Sequence, residues 1–254
     1  MLRFLPNTEK PAPPYTDPDG NCIAEKYHLR DLGVELSSDL TFSMHIENIV
    51  SGANRMVGWI MRTSRRRSKG VMLPLWKSLI QSRLDYCSQL WSPSDQASIS
   101  QLEGVARSFT SRVSGMEGLD YWERLAKLRM YSQERRRERY QIIFVWKLSQ
   151  GLVGGYSLPF QHSDRRGRTV LVPPMVSGSA AAVKKARESS LQVKGARLYN
   201  LLPKDMRDMQ GGTVDTFKTS LDSWLSQVPD QPTVVGRQRA AATNSLIDQV
   251  VMNH

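Results

Sequence analysis

Apolar residues recur along this chain at two different periods. Between Ile23 and Leu40 the run Tyr27–Leu36 alternates loosely between apolar and polar, which predicts a short β-hairpin with Asp39 or neighbouring polar residues at its turn. From Ile46 the step changes to three and four. Ile46, Ile49, Val50, Ala53, Val57 and Ile60 then line one face of an amphipathic helix, with Ser43 at its N-cap. Leu73, Trp76, Ile80, Leu84, Cys87 and Trp91 repeat the pattern, with Pro74 in the first turn and Ser92-Pro93 as the stop. Ile99, Leu102, Val105, Ala106 and Phe109 mark a third helix over 95–113. Further helices are predicted over 121–130 and 132–149, the latter with Tyr140, Ile143, Phe144 and Leu148 as its stripe.

Gly151, Gly154 and Gly155 end that series. Residues 161–179 read as loop with one strand at 168–172, and two more helices are expected over 190–202 and 214–228. The expectation is therefore a mainly α fold: a helical bundle behind a short N-terminal β-hairpin, with disordered tails. Its parts are an extended, proline-rich arm (1–20), the hairpin (21–42), a basic helical domain (43–150), a loop or linker (151–189), a C-terminal helical segment (190–228) and a polar tail (229–254).

Charge sharpens this picture. The net charge is +11, and residues 51–150 hold 18 Lys and Arg against 8 Asp and Glu, so nearly all of the excess lies there. Such a patch favours polyanions, nucleic acid before an anionic membrane surface. No run approaches the roughly 20 apolar residues of a membrane helix, and Met1–Lys10 lack the apolar stretch of a signal peptide. Cys22 and Cys87 are the only cysteines, which fits a reduced intracellular compartment, nucleus or cytoplasm.

Catalytic signatures are missing: no paired aspartates, no His-Glu-x-x-His, no Cys-x-x-Cys, no phosphate loop and no nucleophile elbow. His28, His45, His162 and His254 are scattered and read as surface or turn residues, not metal ligands. Gly151-Leu-Val-Gly-Gly155 reads as a helix stop before it reads as a phosphate cradle. The candidate chemistry lies in two basic runs. Arg62, Arg65, Arg66, Arg67 and Lys69 fall between two helices, and Arg135, Arg136, Arg137 and Arg139 on the first turns of another. Guanidinium forks suit phosphate oxygens. The competing reading is a solvated helix face, with Glu134 and Glu138 neutralising part of the second run. Of Trp59, Trp76, Trp91, Trp122, Trp146 and Trp224, most stand at core spacing, and Trp59, beside the basic turn, is the candidate for stacking on bases.

Asp31-Leu-Gly-Val-Glu-Leu36, then Leu40-Thr-Phe42 and His45-Ile46, resembles the hairpin that follows the catalytic motifs in reverse transcriptases of non-LTR (LINE-type) retrotransposons, the jockey and chicken-repeat-like groups above all. Ala53-Asn-Arg-Met56, Leu75-Trp-Lys-Ser-Leu79, Leu84-Asp-Tyr-Cys-Ser-Gln-Leu-Trp91, Leu102-Glu103, Tyr121-Trp-Glu-Arg-Leu125, Gln133-Glu-Arg-Arg-Arg137 and Lys147-Leu-Ser-Gln-Gly151 follow in the same order. Tyr199-Asn-Leu-Leu-Pro203 and Phe217-Lys-Thr-Ser-Leu-Asp222 resemble the family's Trp-Asn-x-Leu-Pro and Phe-Lys-x-x-Leu-Asp boxes, with Tyr199 in place of tryptophan.

The resemblance implies the last palm hairpin, the helical thumb and the region beyond it. The endonuclease, fingers and palm, with their Mg²⁺-binding aspartates, would lie upstream of Ile23. It therefore implies a fragment of an RNA-directed DNA polymerase with no catalytic residue, metal ligand or cofactor of its own; Mg²⁺ belongs to the complete family enzyme. The implied partner is an RNA/DNA primer–template duplex held through its phosphates, together with a palm-containing polymerase chain, and no membrane. The alternative is a host-adopted helical module for protein contacts.

Overall fold

The computed structural model describes residues 2, 4, 14–154, 161–165, 168–173, 181–209, 211–232 and 244–251. Most of the expected extended arm, and much of the two expected disordered tails, lies outside the described residues. The fold is mainly helical behind a small antiparallel hairpin, as the spacing predicts.

The hairpin pairs β1 (His28–Asp31) with β2 (Val34–Ser37). Its turn is Leu32-Gly33 and not Asp39. Both residues have positive φ, 45° and 86°, the pair a two-residue primed turn demands. Asp39 instead accepts from Thr41 N (3.1 Å) in the bend that leads into the first helix.

That helix, α1 (Ser43–Thr63), buries Ile46, Ala53, Val57 and Ile60 as its period dictates. Ser43 is its first residue, not its cap; the cap position is Phe42, in the left-handed region and without a side-chain cap bond. The next rod, α2, is composite: Lys69–Leu75, a π-helical stretch Trp76–Gln81, then Ser82–Asp85. Pro74 sits at its sixth position, not in the first turn. The missing N–H of Pro74 and the wider turn that follows bring Trp76 Nε1 onto Gln81 Oε1 at 2.8 Å, both residues buried. The rod stops at Tyr86 and Cys87, the latter at φ 51°, so Trp91 belongs to a separate short turn, α3 (Ser88–Trp91).

Helix α4 (Gln96–Thr110) is capped by Asp95, whose carboxylate accepts from Ser98 N at 2.8 Å. Helix α5 (Tyr121–Leu128) carries a capping box between Asp120 and Glu123. The apolar faces of α1, α2, α4 and α5 meet in a first core, where Trp76 packs on Phe109 with ring centroids 4.8 Å apart.

Helix α6 (Gln133–Ser149) places its buried apolar residues in a second core. Its second half buries Ile142, Ile143, Val145 and Trp146, while Tyr140, Phe144 and Leu148 of the expected stripe are only half-buried. Around it lie a second hairpin, β3 (Gln161–Arg165) with β4 (Arg168–Val172), then α7 (Ala181–Ser189) and α8. The last is a π-turn, Leu191–Gly195, running into Ala196–Asn200. A single turn, α9 (Lys204–Arg207), leads to α10 (Val214–Leu225), whose Phe217 stacks on Trp146 at 4.5 Å. Inside the segment expected to be a polar tail, α11 (Leu246–Val251) returns to bury Leu246 in this second core.

Candidate nucleic-acid interface

The first basic run occupies the turn between α1 and α2. Thr63 ends α1 with its hydroxyl bonded to Trp59 O at 3.0 Å, and Ser64 leaves in an extended conformation. Residues 65–69 then cross to α2, all of them exposed. Three hydrogen bonds pin the turn, and a fourth holds the lysine it meets. Arg67 donates to Met61 O at 3.1 Å, and Ser114 N donates to Arg67 O at 2.8 Å. Lys69 Nζ reaches Lys127 O and Lys127 Nζ reaches Gly115 O, each at 2.9 Å. Three segments that are distant in sequence thus bring Lys127 beside the arginines.

Arg62, Arg65 and Arg66 point their charge at solvent, and among the described residues none of the three has an ion pair. Arg62 also borders a shallow groove of about 750 Å³, together with Ser51, Arg55, Gly58 and Gln101. Trp59, one turn before Arg62, is 49% exposed. Trp76, Trp91 and Trp146 are core residues, whereas Trp122 and Trp224 are half-buried.

The second run turns inward, which corrects the expectation that it faces phosphate. Arg135 is fully buried and donates to Val228 O (3.2 Å) and Pro229 O (2.8 Å). Arg136 forks onto Asp85, Nη2 to Oδ2 at 2.8 Å, and Arg139 forks onto Asp222 at 2.5 and 2.7 Å. Arg137 is buried, and that burial pulls its guanidinium below the usual arginine range despite Glu103, Glu134, Asp85 and Glu138 nearby. The physical reason differs along the run: burial keeps Arg135 and Arg137 from any ligand, although Arg137 Nη1 and Nη2 find no hydrogen-bond partner among the described residues, whereas Asp85 and Asp222 occupy the forks of the half-buried Arg136 and Arg139. These arginines hold the two cores together.

Acids complete that seam. Tyr121 donates a short hydrogen bond to the Glu103 carboxylate, whose other oxygen accepts from Glu134 N at 2.9 Å, at the start of α6. Ser132 Oγ caps the same helix and also donates to Asp230 at 2.7 Å. Glu134 accepts from Asn244 N at 2.9 Å, and Glu138 accepts from Ser245 Oγ and Leu246 N at 2.6 and 2.8 Å. Glu134 and Glu138 thus satisfy the backbone of α11 and do not pair with the arginines of their own helix. Burial pushes the Glu134 carboxyl up to about 7, with Glu138 adding to it.

His45 is buried, not on the surface. Glu35 N donates to its Nδ1 at 3.3 Å, and its ring stands edge-on to Trp91. His28 is exposed, and His254 lies outside the described residues. Among the described residues no three His, Cys, Asp or Glu side chains are grouped to hold a metal, and no helix is long and apolar enough to cross a membrane.

Arg55, Arg83 and Lys127 are further exposed basic residues, with little local signal to separate them from ordinary surface charge. Arg55 is the exception in part, because it stands seven residues before Arg62 and so shares its helix face. Arg83 and Lys127 arrive through tertiary packing alone. Comparison with protein-family models, with curated proteins and with solved structures yields no match for this chain.

Proposed function

We propose that this chain is the duplex-gripping helical part of a non-LTR-type reverse transcriptase, binding primer–template nucleic acid through its phosphates without reading sequence and catalysing nothing alone. The observation that supports it is the pinned turn with Arg62, Arg65 and Arg66 exposed and free of ion pairs among the described residues, beside a half-exposed Trp59. Fixed cations position a polyanion, and an aromatic face next to them adds base stacking where a strand end is open. The partners under this reading are an RNA/DNA duplex and a palm-bearing polymerase chain inside the cell, and Mg²⁺ would act in that palm.

Fluorescence anisotropy with an RNA–DNA duplex tests it. Affinity is expected in the micromolar range at low salt, falling steeply as salt rises. Replacing Arg62, Arg65 and Arg66 with alanine should weaken binding and flatten the salt slope by roughly 2 to 3. Arg139→Ala should instead lower stability, and leave the slope unchanged at temperatures where the variant is folded. No binding at low salt, or an unaltered slope in the triple variant, sinks the reading. Primer extension by the isolated chain should be absent.

A second reading, a protein-interaction module, draws on the hairpin. Tyr27, Leu29 and Leu32 are exposed there, Leu32 to 85%. Pull-downs that lose their partner on Leu32→Asn, with nucleic-acid binding absent, would favour it.

A further inference from the structure

A second concave feature lies at the far end of the α1 face that carries Arg62. It is a cleft of about 760 Å³ between the hairpin turn, α1 and the end of α2. Tyr86 closes one side, donating from its hydroxyl to Leu32 O at 2.8 Å and so tying the turn to α2. Arg55 from α1 and Arg83 from α2 both border the cleft, and both are exposed.

The two guanidinium groups converge over Gly52. A side-chain carbon added at that glycine would stand 3.7 Å from Arg55 Nη2 and 4.0 Å from Arg83 Nη1. Both nitrogens are therefore near one point, close enough for the oxygens of a single phosphate to meet both. Arg55 spends one donor on Ser51 Oγ at 2.9 Å. Among the described residues neither arginine has an ion pair, and Glu35, the carboxylate that borders the cleft, already faces Arg30 at 3.8 Å. His45, also in the wall, accepts at Nδ1, so its proton is on Nε2, a buried atom with no hydrogen-bond partner among the described residues. Burial pulls its imidazolium form down, against the opposing charge of Glu35. The inventory is rich in donors and poor in free acceptors.

Two like charges held together, with no carboxylate paired to either among the described residues, are relieved most by a dianion. A phosphomonoester carries close to two charges at neutral pH, an internal phosphodiester only one. We propose that this cleft binds a terminal phosphoryl group, the end of a nucleic-acid strand or of a free nucleotide. The cleft shares Ser51 and Arg55 with the groove that holds Arg62. A strand leaving it would run along α1, about 10 Å from Arg55 to Arg62, toward the basic turn. The strand-end form of the proposal rests on the nucleic-acid reading above, and the free-phosphate form does not.

Two measurements on the full chain separate these. In the first, 5′-phosphorylated and 5′-hydroxyl oligonucleotides of one sequence are compared by anisotropy. The phosphorylated strand should bind about tenfold tighter, the worth of roughly one charge-assisted contact. The preference should vanish in Arg55→Gln/Arg83→Gln and in Gly52→Asp, whose carboxylate would occupy the site; circular dichroism checks that both fold. In the second, inorganic phosphate and adenosine 5′-monophosphate are titrated while the Arg55 and Arg83 Nε–H resonances are followed by NMR. Saturable shifts by both support the pocket. Tighter competition by the strand than by the nucleotide assigns the strand end as source, and the reverse assigns the nucleotide. Equal affinity of the two strands together with no shift overturns the proposal, as does a preference that survives in both variants. If no oligonucleotide binds at all, the duplex-gripping reading fails, and the NMR titration alone decides whether the cleft takes phosphate.

Discussion

Arginines 66 and 135 are the same residue type in similar basic runs, yet one is a solvated cation and the other a buried strut. The difference lies in residues up to 94 positions away, Val228 and Pro229, whose carbonyls receive Arg135. Charge counting along the chain registers both equally, so the first run was legible and the role of the second was not. The carboxylates behave likewise. Glu134 stands where a solvated i,i+4 partner for arginine is the natural expectation, but folding removes it from water and raises its carboxyl to about 7. A pKa above the unfolded value of 4.5 means the group favours the fold fully below about pH 4.5 and progressively less as pH rises through 7. Denaturant unfolding should therefore show higher stability near pH 5 than near pH 8, by up to about 3 kcal/mol from this residue. Glu134→Gln should flatten that part of the profile. An equal pH dependence in the variant would place the effect elsewhere, with Glu103, also raised by burial, as the next carboxyl to replace.

Elements with a long apolar stripe were readable: α1, α4 and α5 stand within two or three residues of where their spacing puts them. Legibility failed where backbone chemistry interrupts a stripe that the side chains continue. The spacing Leu84, Cys87, Trp91 is helical, but Cys87 adopts a left-handed conformation and the rod breaks there. It also failed for short or polar elements, β3, α7 and α11, whose order comes from neighbours and not from their own period. The π-turn that opens α8 shows how close such neighbours come. A methyl group at Gly195 would meet Val145 Cγ2 at 2.9 Å, and the β-branched valine has little room to yield. Gly195→Ala should cost about 1–3 kcal/mol through overpacking, in spite of its better helix propensity. Thermal unfolding would record it, and a stabilised variant would show that α8 can move off α6.

At the scale of the molecule, two apolar cores are joined by a polar seam along the first half of α6. Residues 244–246 close that seam from outside, through Asn244 on Glu134 and Ser245 and Leu246 on Glu138. Removing residues 244–254 should strand both carboxylates without their donors and lower the melting temperature by several degrees. It should leave the salt dependence of nucleic-acid binding unchanged, since the basic turn belongs to the other core. Loss of binding without loss of stability would tie the C-terminal segment to the interface instead. That dependence on a distant segment is why the seam could not be read locally: its members come from stretches as far apart as Asp85 and Leu246.

The pinned turn between α1 and α2 has a cost even when nothing is bound. Arg67 is tied to Met61 and Ser114, and Lys69 to Lys127, so the backbone that carries Arg62, Arg65, Arg66, Arg67 and Lys69 keeps five like charges on one short stretch, where they repel one another. Added salt screens that repulsion within about 10 Å at 0.1 M and favours the fold. The same ions compete with the cations for phosphate. Ionic strength thus acts in opposite senses on five neighbouring cations: the solutions in which the free protein holds its shape best are those in which it grips a polyanion least.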